Sequence, residues 1–489
     1  MTEQDLDLAG KLGHDERLLE EAALRNISPD DAKYRKASQK LADYLTADGE
    51  WRAFAYVQRV LLETRVEFGQ AEKRHLAELD EALRKFSPLN ASMLEDKVTK
   101  HDQLAVLEEL GRFVSEETKS LLHPGTTSYD IVDTARSWLF KRAWYEVIRL
   151  EVAKSIEKLC KLSERSMDLV QVGRTHLQDT SPVLFGGVLA GYAARLAERV
   201  TKTDSSFNDL RGKVSGIVGT GAGIEMVIGE GRSIEFEKAV LDKLGLKPDY
   251  AATQVVQKER LADAGNSIVT LYHVLADFAN DMRILYASAI KEVTSRDNVE
   301  RLGGSSADAT KNNPIDWENM AGKADVVESG MGVLYGMIQT DLQRDLRPSV
   351  KARFQPQAMM AETYEAFARL NKALLQLSVN EDRMRANLTG VRANPSEAMV
   401  AILRGEPLWV HSKYGLGHDF VKEMGKQAIK QQASLLDVAL KDPEFRQVYD
   451  SLPEYKKDIL DGNIERYVGS ARKRAEINRE YARKVASKT

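Results

Sequence analysis

Residues 261–285 read Leu-Ala-Asp-Ala-Gly-Asn-Ser-Ile-Val-Thr-Leu-Tyr-His-Val-Leu-Ala-Asp-Phe-Ala-Asn-Asp-Met-Arg-Ile-Leu. Apolar residues recur here at steps that alternate between three and four, at Leu261, Ala264, Ile268, Leu271, Leu275, Phe278, Met282 and Leu285. This spacing places them in one seam along a helix. A long helix with such a seam needs apolar partners along its whole length. The sequence therefore predicts a bundle of long helices, completed by other subunits.

The rest of the chain is consistent with a helical protein. A second apolar segment runs from Ile131 towards Leu159, although its spacing is less regular. Alternating patterns that indicate strands are scarce, and the few prolines lie at plausible joints between helices. We expect an all-α fold with three regions, namely a mixed helical region at 1–124, a region of long helices at 125–373 and a charged helical region at 374–489.

Composition excludes several classes of protein. The chain has 489 residues, of which 43% are hydrophobic, and this is too apolar for a disordered protein. A net charge of -4 argues against nucleic acid as the main partner. The single cysteine, Cys160, excludes a disulfide framework. The acidic start at Met1–Asp5 is unlike a signal peptide, and no apolar run reaches the roughly 18 residues of a membrane helix. These features predict a soluble, cytoplasmic protein.

A glycine-rich loop at residues 303–314 carries reactive side chains. It reads Gly-Gly-Ser-Ser-Ala-Asp-Ala-Thr-Lys-Asn-Asn-Pro and contains Ser305, Lys311 and Asn313. A serine here can remove a proton from a carbon next to a carboxylate, while lysine and asparagine stabilise the charge that grows on that carboxylate. The alternative interpretation is a polar loop between helices, which is the commoner role of such composition.

Polar residues also precede the second apolar segment. Thr127 and Ser128 stand where a helix would start, with Asp130 in its first turn. A plain N-cap is one interpretation of this pattern. The free N–H groups of a helix start also bind carboxylates and phosphates, so a cap and a binding site are compatible.

Two more segments are candidates for substrate contacts. In residues 173–182, His176 lies among polar residues that could fix its tautomer, and histidine suits proton donation to a leaving nitrogen because its ordinary pKa is about 6.5. Residues 343–353 contain three arginines, a lysine and Ser349. They form an anion site if their side chains converge and a solvated basic face if they do not.

Together these segments resemble the adenylosuccinate lyase family of the fumarase/aspartase superfamily, in the same order along the chain. The family patterns Thr-x-His-Asp, His-x-x-x-Thr-Ser-x-Asp, Thr-His-x-Gln, Thr-Gln and Arg-Asp-Leu-x-x-Ser-x-x-x-Arg match residues 99–102, 123–130, 175–178, 253–254 and 344–353. Near the start, residues 28–34 are similar to Ser-Pro-x-Asp-x-Arg-Tyr. The signature loop Ser-Ser-x-Met-Pro-x-Lys-x-Asn-Pro departs from the family at Asp308, Ala309 and Thr310.

The resemblance implies roles for these residues. Ser305 would be the general base, and His176 the general acid to the departing nitrogen, oriented by Glu318. Lys311 and Asn313 would hold the carboxylate on the fumarate side. Arg344, Ser349 and Arg353 would receive a nucleotide phosphate. The remaining substrate-binding residues would be His101, Asp102, His123, Thr127, Ser128, Thr175, Gln178, Gln254, Ser306, Lys33 and Tyr34.

The resemblance also implies the architecture and the reaction. It implies a three-domain fumarase/aspartase-like fold whose central helix bundle is shared in a homotetramer, with active sites composed from different subunits. The reaction would be β-elimination of fumarate from adenylosuccinate, giving AMP, and from succinyl-aminoimidazole-carboxamide ribotide, in purine nucleotide biosynthesis. It needs no cofactor and no metal. The partner would be a small nucleotide substrate, rather than nucleic acid or a membrane.

Two alternatives remain open at this point. The chain could release fumarate from a different succinyl-amine, as the unusual residues 308–310 suggest, but the phosphate-binding set argues against this. It could instead be a non-catalytic homologue, although the complete set of catalytic residue types argues against that.

The glycine-rich residues 216–223 look like a dinucleotide-binding loop, but they lack its full spacing and its strand–loop–helix setting. They are similar to a Lys-x-Ser-Gly-x-x-Gly-Thr segment of the family, which begins here at Lys213.

Overall fold

The computed structural model describes residues 38–296, 312–392, 395–406 and 409–488. Helices make up most of these ranges, whose strands form two-stranded sheets only. The predicted all-α fold is confirmed. Within the same ranges, no helix has the length and apolar character needed to cross a bilayer.

The helices and strands are numbered in chain order. The helices are α1 (Ala42–Leu45), α2 (Ala47–Glu67), α3 (Lys73–Lys85), α4 (Pro88–Leu94), α5 (Asp102–Gly111), α6 (Glu116–Ser120), α7 (Ser128–Arg142), α8 (Arg149–Arg165), α9 (Phe185–Asn208), α10 (Ala222–Ile228), α11 (Ser233–Lys243), α12 (Glu259–Tyr286), α13 (Ile315–Gly322), α14 (Ala324–Ile338), α15 (Arg347–Ala352), α16 (Gln355–Gln376), α17 (Glu381–Asn387), α18 (Thr389–Arg392), α19 (Ser396–Gly405), α20 (Gly417–Gln431), α21 (Leu435–Ala439), α22 (Pro443–Ser451), α23 (Glu454–Leu460) and α24 (Ala471–Ala486). The strands are β1 (Val170–Thr175), β2 (Gln178–Leu184), β3 (Arg211–Gly212), β4 (Lys247–Pro248), β5 (Val293–Ser295) and β6 (Leu377–Val379).

The 28-residue helix α12 is the axis of the bundle. Its predicted seam is buried from Ala264 to Leu285, and Leu261 packs at the edge of the same core. Helices α9, α13, α14 and α16 pack around α12. Helix α14 approaches closely at Gly265, where a Cβ atom would lie 2.2 Å from Leu334 Cδ1. The apolar side chains of this region form the bundle core, which the seam predicts.

One continuous helical run links the bundle core to a second core. Helix α7 leads through a π-helical turn, Ala143–Ile148, directly into α8. The side chains of α7 up to Leu139 pack with α2, α5 and α11 in an N-terminal core. From Phe140 onwards, the same run packs in the bundle core. A π-helical turn shifts the angular position of all later side chains, which suits a helix that changes its packing partner along its length.

A hairpin of strands β1 and β2 projects from the bundle before α9. Sequence patterns do not predict this hairpin, and a single buried carboxylate explains how it is held. Glu292, just after α12, accepts hydrogen bonds from Gln171 at 2.6 Å and from Arg174 Nη2 at 2.6 Å. It also accepts one from Asn387 of α17 at 2.6 Å. The hairpin is therefore attached to the end of α12 and to α17 by polar contacts far apart in sequence.

The start of α7 is attached to the glycine-rich loop by a fully buried ion pair. The Lys213 ammonium group contacts the Asp130 carboxylate, and both side chains are fully shielded from solvent. Asp130 also accepts hydrogen bonds from the backbone N–H groups of Ser215 at 3.0 Å and Gly216 at 3.2 Å. The Lys213 ammonium group donates a further bond to the Gly216 carbonyl at 3.0 Å. These contacts hold the loop against the helix start.

We predict that Lys213→Met destabilises the protein severely. Removing the ammonium group leaves a buried carboxylate without its counter-charge, which typically costs about 3–5 kcal/mol. The expected result is a large drop in the midpoint of thermal unfolding. The matched control is Lys238→Met, which removes an exposed ion pair with Asp242 and should change the midpoint little. Equal midpoints for the two variants would contradict the anchoring role of Lys213.

Candidate active site

The first group of predicted site residues surrounds the start of α7. Thr127 caps this helix in a capping box, in which the Asp130 carboxylate accepts a hydrogen bond from the Thr127 N–H at 2.7 Å. The predicted N-cap is therefore present. Ser128 directs its hydroxyl oxygen towards His101 Nε2, which lies 3.3 Å away. The segments at 99–102 and 123–130 thus meet at one point.

His101 is itself fixed by a helix start. It is the N-cap of α5, and its Nδ1 accepts a hydrogen bond from the Leu104 N–H at 3.4 Å. The adjacent Asp102 carboxylate lies 3.4 Å from the same Nδ1 atom. The Nε2 atom therefore remains as the atom that faces Ser128.

His123 occupies the turn that leads into α7. Its backbone has a φ of 68°, in the left-handed region that non-glycine residues seldom adopt. Its Nδ1 atom lies 2.9 Å from the side-chain nitrogen of Gln58. Burial lowers the pKa of His123 to about 4, and the positive charge of Arg65 adds to this effect. His123 is therefore a neutral imidazole at neutral pH.

The basic segment 343–353 reaches the same place through Arg344. The guanidinium carbon lies 3.8 Å from the centre of the Tyr129 ring, and Nη1 donates to Gln254 Oε1 at 2.7 Å. Tyr129 follows Ser128 directly, so this cation lies beside the helix start. Arg347 is instead paired with Asp345 at 2.9 Å. The segment thus divides into an arginine that turns inward and one that is paired at the surface.

Ser349 and Arg353 lie in or next to α15. Ser349 is buried, whereas Arg353 is exposed and lines a cavity of about 340 Å³ together with Asp102 and Glu95. Burial raises the pKa of Glu95, the charge of Asp102 raises it further, and Arg353 opposes that increase. Arg353 therefore shares its surroundings with the His101–Asp102 segment.

The Thr-His-x-Gln residues lie elsewhere in the chain. Thr175 ends β1, Gln178 begins β2, and His176 and Leu177 form the two-residue turn between them. Both turn residues have positive φ, 55° and 59°, as a tight type I′ hairpin turn requires. All four are exposed. Within the described ranges, no hydrogen bond or ion pair connects His176 to the residues around α7.

Asn313 and Glu318 form a third location at the start of α13. Asn313 lines a cavity of about 270 Å³ with Ser295 of β5 and Lys372 of α16. Glu318 is exposed on the first turn of α13. In the part of the chain that the structure describes, His176 and Glu318 are not joined by a hydrogen bond or an ion pair. The predicted orientation of His176 by Glu318 is therefore not found within one chain.

Several predicted residues lie outside the described ranges. They are the proposed base Ser305, the loop residues Ser306 and Lys311, the departing residues Asp308, Ala309 and Thr310, and the substrate-binding residues Lys33 and Tyr34.

The glycine-rich loop after Lys213 has a structural role. Its first N–H groups, those of Ser215 and Gly216, donate to the Asp130 carboxylate rather than pointing outwards. Gly219 has a φ of 81°, and a Cβ atom there would lie 2.3 Å from the Ala252 carbonyl oxygen. The loop thus packs against the segment that carries Gln254. The interpretation as a dinucleotide loop, which the sequence already disfavours, finds no support here.

Three residues near the site are missed by sequence patterns. Gln58 contacts His123, Arg65 donates to the carbonyls on either side of it, and Tyr129 lies under Arg344. Gln58 and Arg65 are polar residues seven positions apart on the otherwise apolar inner face of α2, and that is the only signal the sequence offers for them.

Known proteins resemble this chain in sequence and in structure. A family profile described as Lyase matches residues 28–328, which is more than half of the chain. Adenylosuccinate lyase from Archaeoglobus fulgidus is 26% identical over 452 residues, covering 91% of this chain and 96% of the relative. Adenylosuccinate lyase from Aquifex aeolicus is 29% identical, covering 72% of this chain and 77% of the relative.

Two solved structures share the fold. A fumarate lyase from Mesorhizobium sp. BNC1 has a TM-score of 0.74 at 21% identity, over 90% of this chain and 97% of that one. A 3-carboxy-cis,cis-muconate lactonizing enzyme from Pseudomonas putida has a TM-score of 0.75 at 19% identity, over 92% and 98%. These similarities agree with the helical architecture described above. The chain therefore belongs to the Lyase family, and it is an enzyme of the fumarase/aspartase superfamily.

Proposed function

We propose that this enzyme eliminates fumarate from adenylosuccinate, giving AMP, and from succinyl-aminoimidazole-carboxamide ribotide. The observation that carries the proposal is the position of Arg344 on the ring of Tyr129, beside Ser128 and His101. A fixed cation next to a helix start suits the phosphate or carboxylate groups of such a substrate. Similarity to adenylosuccinate lyases of several organisms supports the same substrate.

The proposed reaction moves two protons, one from the carbon next to the carbon that bears the nitrogen and one to the departing nitrogen. Ser305, as an alkoxide, takes the first proton from this succinyl carbon, and the electron pair passes into the adjoining carboxylate, which Lys311 and Asn313 stabilise. The pair then forms the carbon–carbon double bond of fumarate as the carbon–nitrogen bond breaks. His176 donates a proton to the departing nitrogen, so that AMP leaves as a neutral amine at that atom.

We propose that the site is composed from more than one subunit. In the described ranges, His176 at the hairpin turn, Glu318 on α13 and the residues around α7 form three groups that no polar contact connects within one chain. Assembly as a homotetramer around the bundle would let the groups of different chains meet. The exposed position of the hairpin turn supports this arrangement, because it is accessible to a neighbouring subunit.

The first test is release of fumarate from adenylosuccinate by the purified protein, followed by ultraviolet absorbance. Ser305→Ala and His176→Ala should each lower turnover by roughly two to four orders of magnitude, as expected for loss of a positioned proton-transfer group. Folding should be preserved, at least for His176→Ala, because His176 is exposed. A folded parent protein that releases no fumarate would exclude the proposed substrate.

A second prediction concerns the phosphate. Arg344→Ala should weaken binding of AMP by about tenfold to a hundredfold, the loss expected when a charge-assisted hydrogen bond of about 1.5–3 kcal/mol is removed. Binding of fumarate should change much less, and calorimetry measures both. Arg347→Ala is the matched control, because Arg347 belongs to the same segment but is paired with Asp345. Equal losses for AMP and fumarate would favour a substrate without a phosphate.

A third prediction tests the composite site. His176→Ala and Ser305→Ala, each inactive alone, should recover activity when they are mixed, partly denatured and reassembled. Recovery is expected because a mixed tetramer contains sites in which the intact His176 and the intact Ser305 come from different subunits. Light scattering verifies reassembly, and self-mixed samples of each variant are the controls. Reassembled tetramers without activity would show that both residues act from one chain.

A further inference from the structure

Two buried polar residues of α2 point at the turn that contains His123. Gln58 and Arg65 are each only 1% exposed, in a helix whose other inward-facing residues are mostly apolar. They are seven residues apart, which is close to two helical turns, so they lie on the same side of α2. Neither residue belongs to any motif of the sequence analysis. Their contacts with one short turn need an explanation.

Arg65 fixes the backbone on both sides of His123. Its guanidinium group donates to the carbonyl oxygens of Leu121 and Pro124. Burial lowers the pKa of Arg65 to about 10, which measures how unfavourable this position is for a cation. A buried charge is retained here to hold a turn in which His123 has a φ of 68°. The backbone that carries the imidazole of His123 is therefore held in one position.

Gln58 fixes the imidazole ring itself. Its side-chain nitrogen is a donor only, and it lies 2.9 Å from His123 Nδ1. For this contact to be a hydrogen bond, Nδ1 must carry the lone pair. A neutral imidazole then carries its single proton on Nε2, at the opposite corner of the ring. With its amide in this orientation, Gln58 favours the neutral tautomer that carries its proton on Nε2.

We propose that Gln58 is a positioning residue, which keeps His123 as a neutral imidazole with its proton on Nε2, so that His123 donates an uncharged hydrogen bond to the substrate. This inference rests on the proposed function, in which His123 lines the substrate pocket. It distinguishes His123 from His176, whose task is to give up a proton. An uncharged donor orients a substrate oxygen or nitrogen without competing for the transferred proton.

The surroundings of His123 agree with a neutral ring. The charged and titratable groups that act on it are Asp130 of α7, Arg65 of α2, and His101 and Asp102 at the start of α5. Burial is the largest influence and lowers its pKa, and Asp130 is the strongest opposing one. The result is a pKa of about 4, so His123 carries no charge above about pH 5. A neutral amide at position 58 does not reverse this.

The decisive variant is Gln58→Glu, which has the same shape but places a carboxylate beside Nδ1. A carboxylate only accepts hydrogen bonds, so the neutral ring must move its proton to Nδ1 and leave Nε2 bare. The nearby negative charge also raises the pKa of His123 above its value in the parent. Below that pKa the ring is charged and Nε2 carries a proton again, whereas above it the donor is lost.

The pH profile of kcat/KM therefore has a predicted sign. For Gln58→Glu it should fall by about tenfold or more as the pH rises through the new pKa, because the donor to the substrate is lost. The parent should show no such fall. Gln103→Glu is the matched control, because the Gln103 side chain is equally buried but makes no hydrogen bond in the described part of the chain, and its profile should follow the parent. A profile of Gln58→Glu that rises with pH would mean that His123 acts through a bare Nε2, and would overturn the proposal.

A second measurement does not depend on the substrate. Solid-state nitrogen NMR of sedimented protein with labelled histidine rings reports which ring nitrogen carries the proton, and His123→Gln assigns the signal. The parent should show a neutral ring protonated on Nε2 at pH 7, and Gln58→Glu should not. A proton on Nδ1 in the parent would overturn the proposal even if adenylosuccinate is cleaved. The expected spectrum together with an inactive parent would instead reject the proposed function alone.

Discussion

The buried ion pair between Asp130 and Lys213 is the constraint on which the site depends. It joins the first turn of α7 to the glycine-rich loop, and further hydrogen bonds of the two side chains to Ser215 and Gly216 reinforce that junction. The loop in turn packs against the backbone before Gln254, and Gln254 holds Arg344. One electrostatic contact therefore sets the relative positions of the capping threonine, its neighbouring serine and the inward-facing arginine. A buried pair of this kind contributes little net stability, but it tolerates no alternative arrangement.

The candidate site combines this rigid part with two exposed parts, the hairpin turn and the first turn of α13, which have no polar contact with it in the described part of the chain. Around α7, backbone and side chains are held by buried groups, and even the imidazole of His123 has a neighbour that specifies its proton. The hairpin turn with His176 and the first turn of α13 are exposed by comparison. A fold of long helices can combine rigid and exposed parts of a site in this way. The apolar seams of its helices can pack against those of other subunits, while the polar turns at the helix ends meet at the subunit boundaries. Membership of the fumarase/aspartase superfamily is consistent with that design.

Sequence patterns predict the parts of this structure that arise from local physics. The seam of residues 261–285 predicts α12, and Thr127 with Asp130 predicts the start of α7, because helix periodicity and capping act over a few residues. The hairpin around His176 is not predicted, since Glu292 holds it from more than a hundred residues away. Gln58 is missed for the same reason, and only tertiary contact reveals its role. The roles of Ser305 and Lys311 remain predictions from the family resemblance.

The π-helical turn at Ala143–Ile148 has a consequence for local opening of the protein. Residues 128–165 form one helical run whose first half is buried in the N-terminal core and whose second half is buried in the bundle core. The run cannot come apart in one core without disturbing the other, so both belong to a single cooperative unit. The hydrogen-bonded backbone amides in the middle of α7 should therefore exchange with solvent as slowly as those of α8. The start of α7 is thus stabilised in part by a core in which its own side chains do not pack.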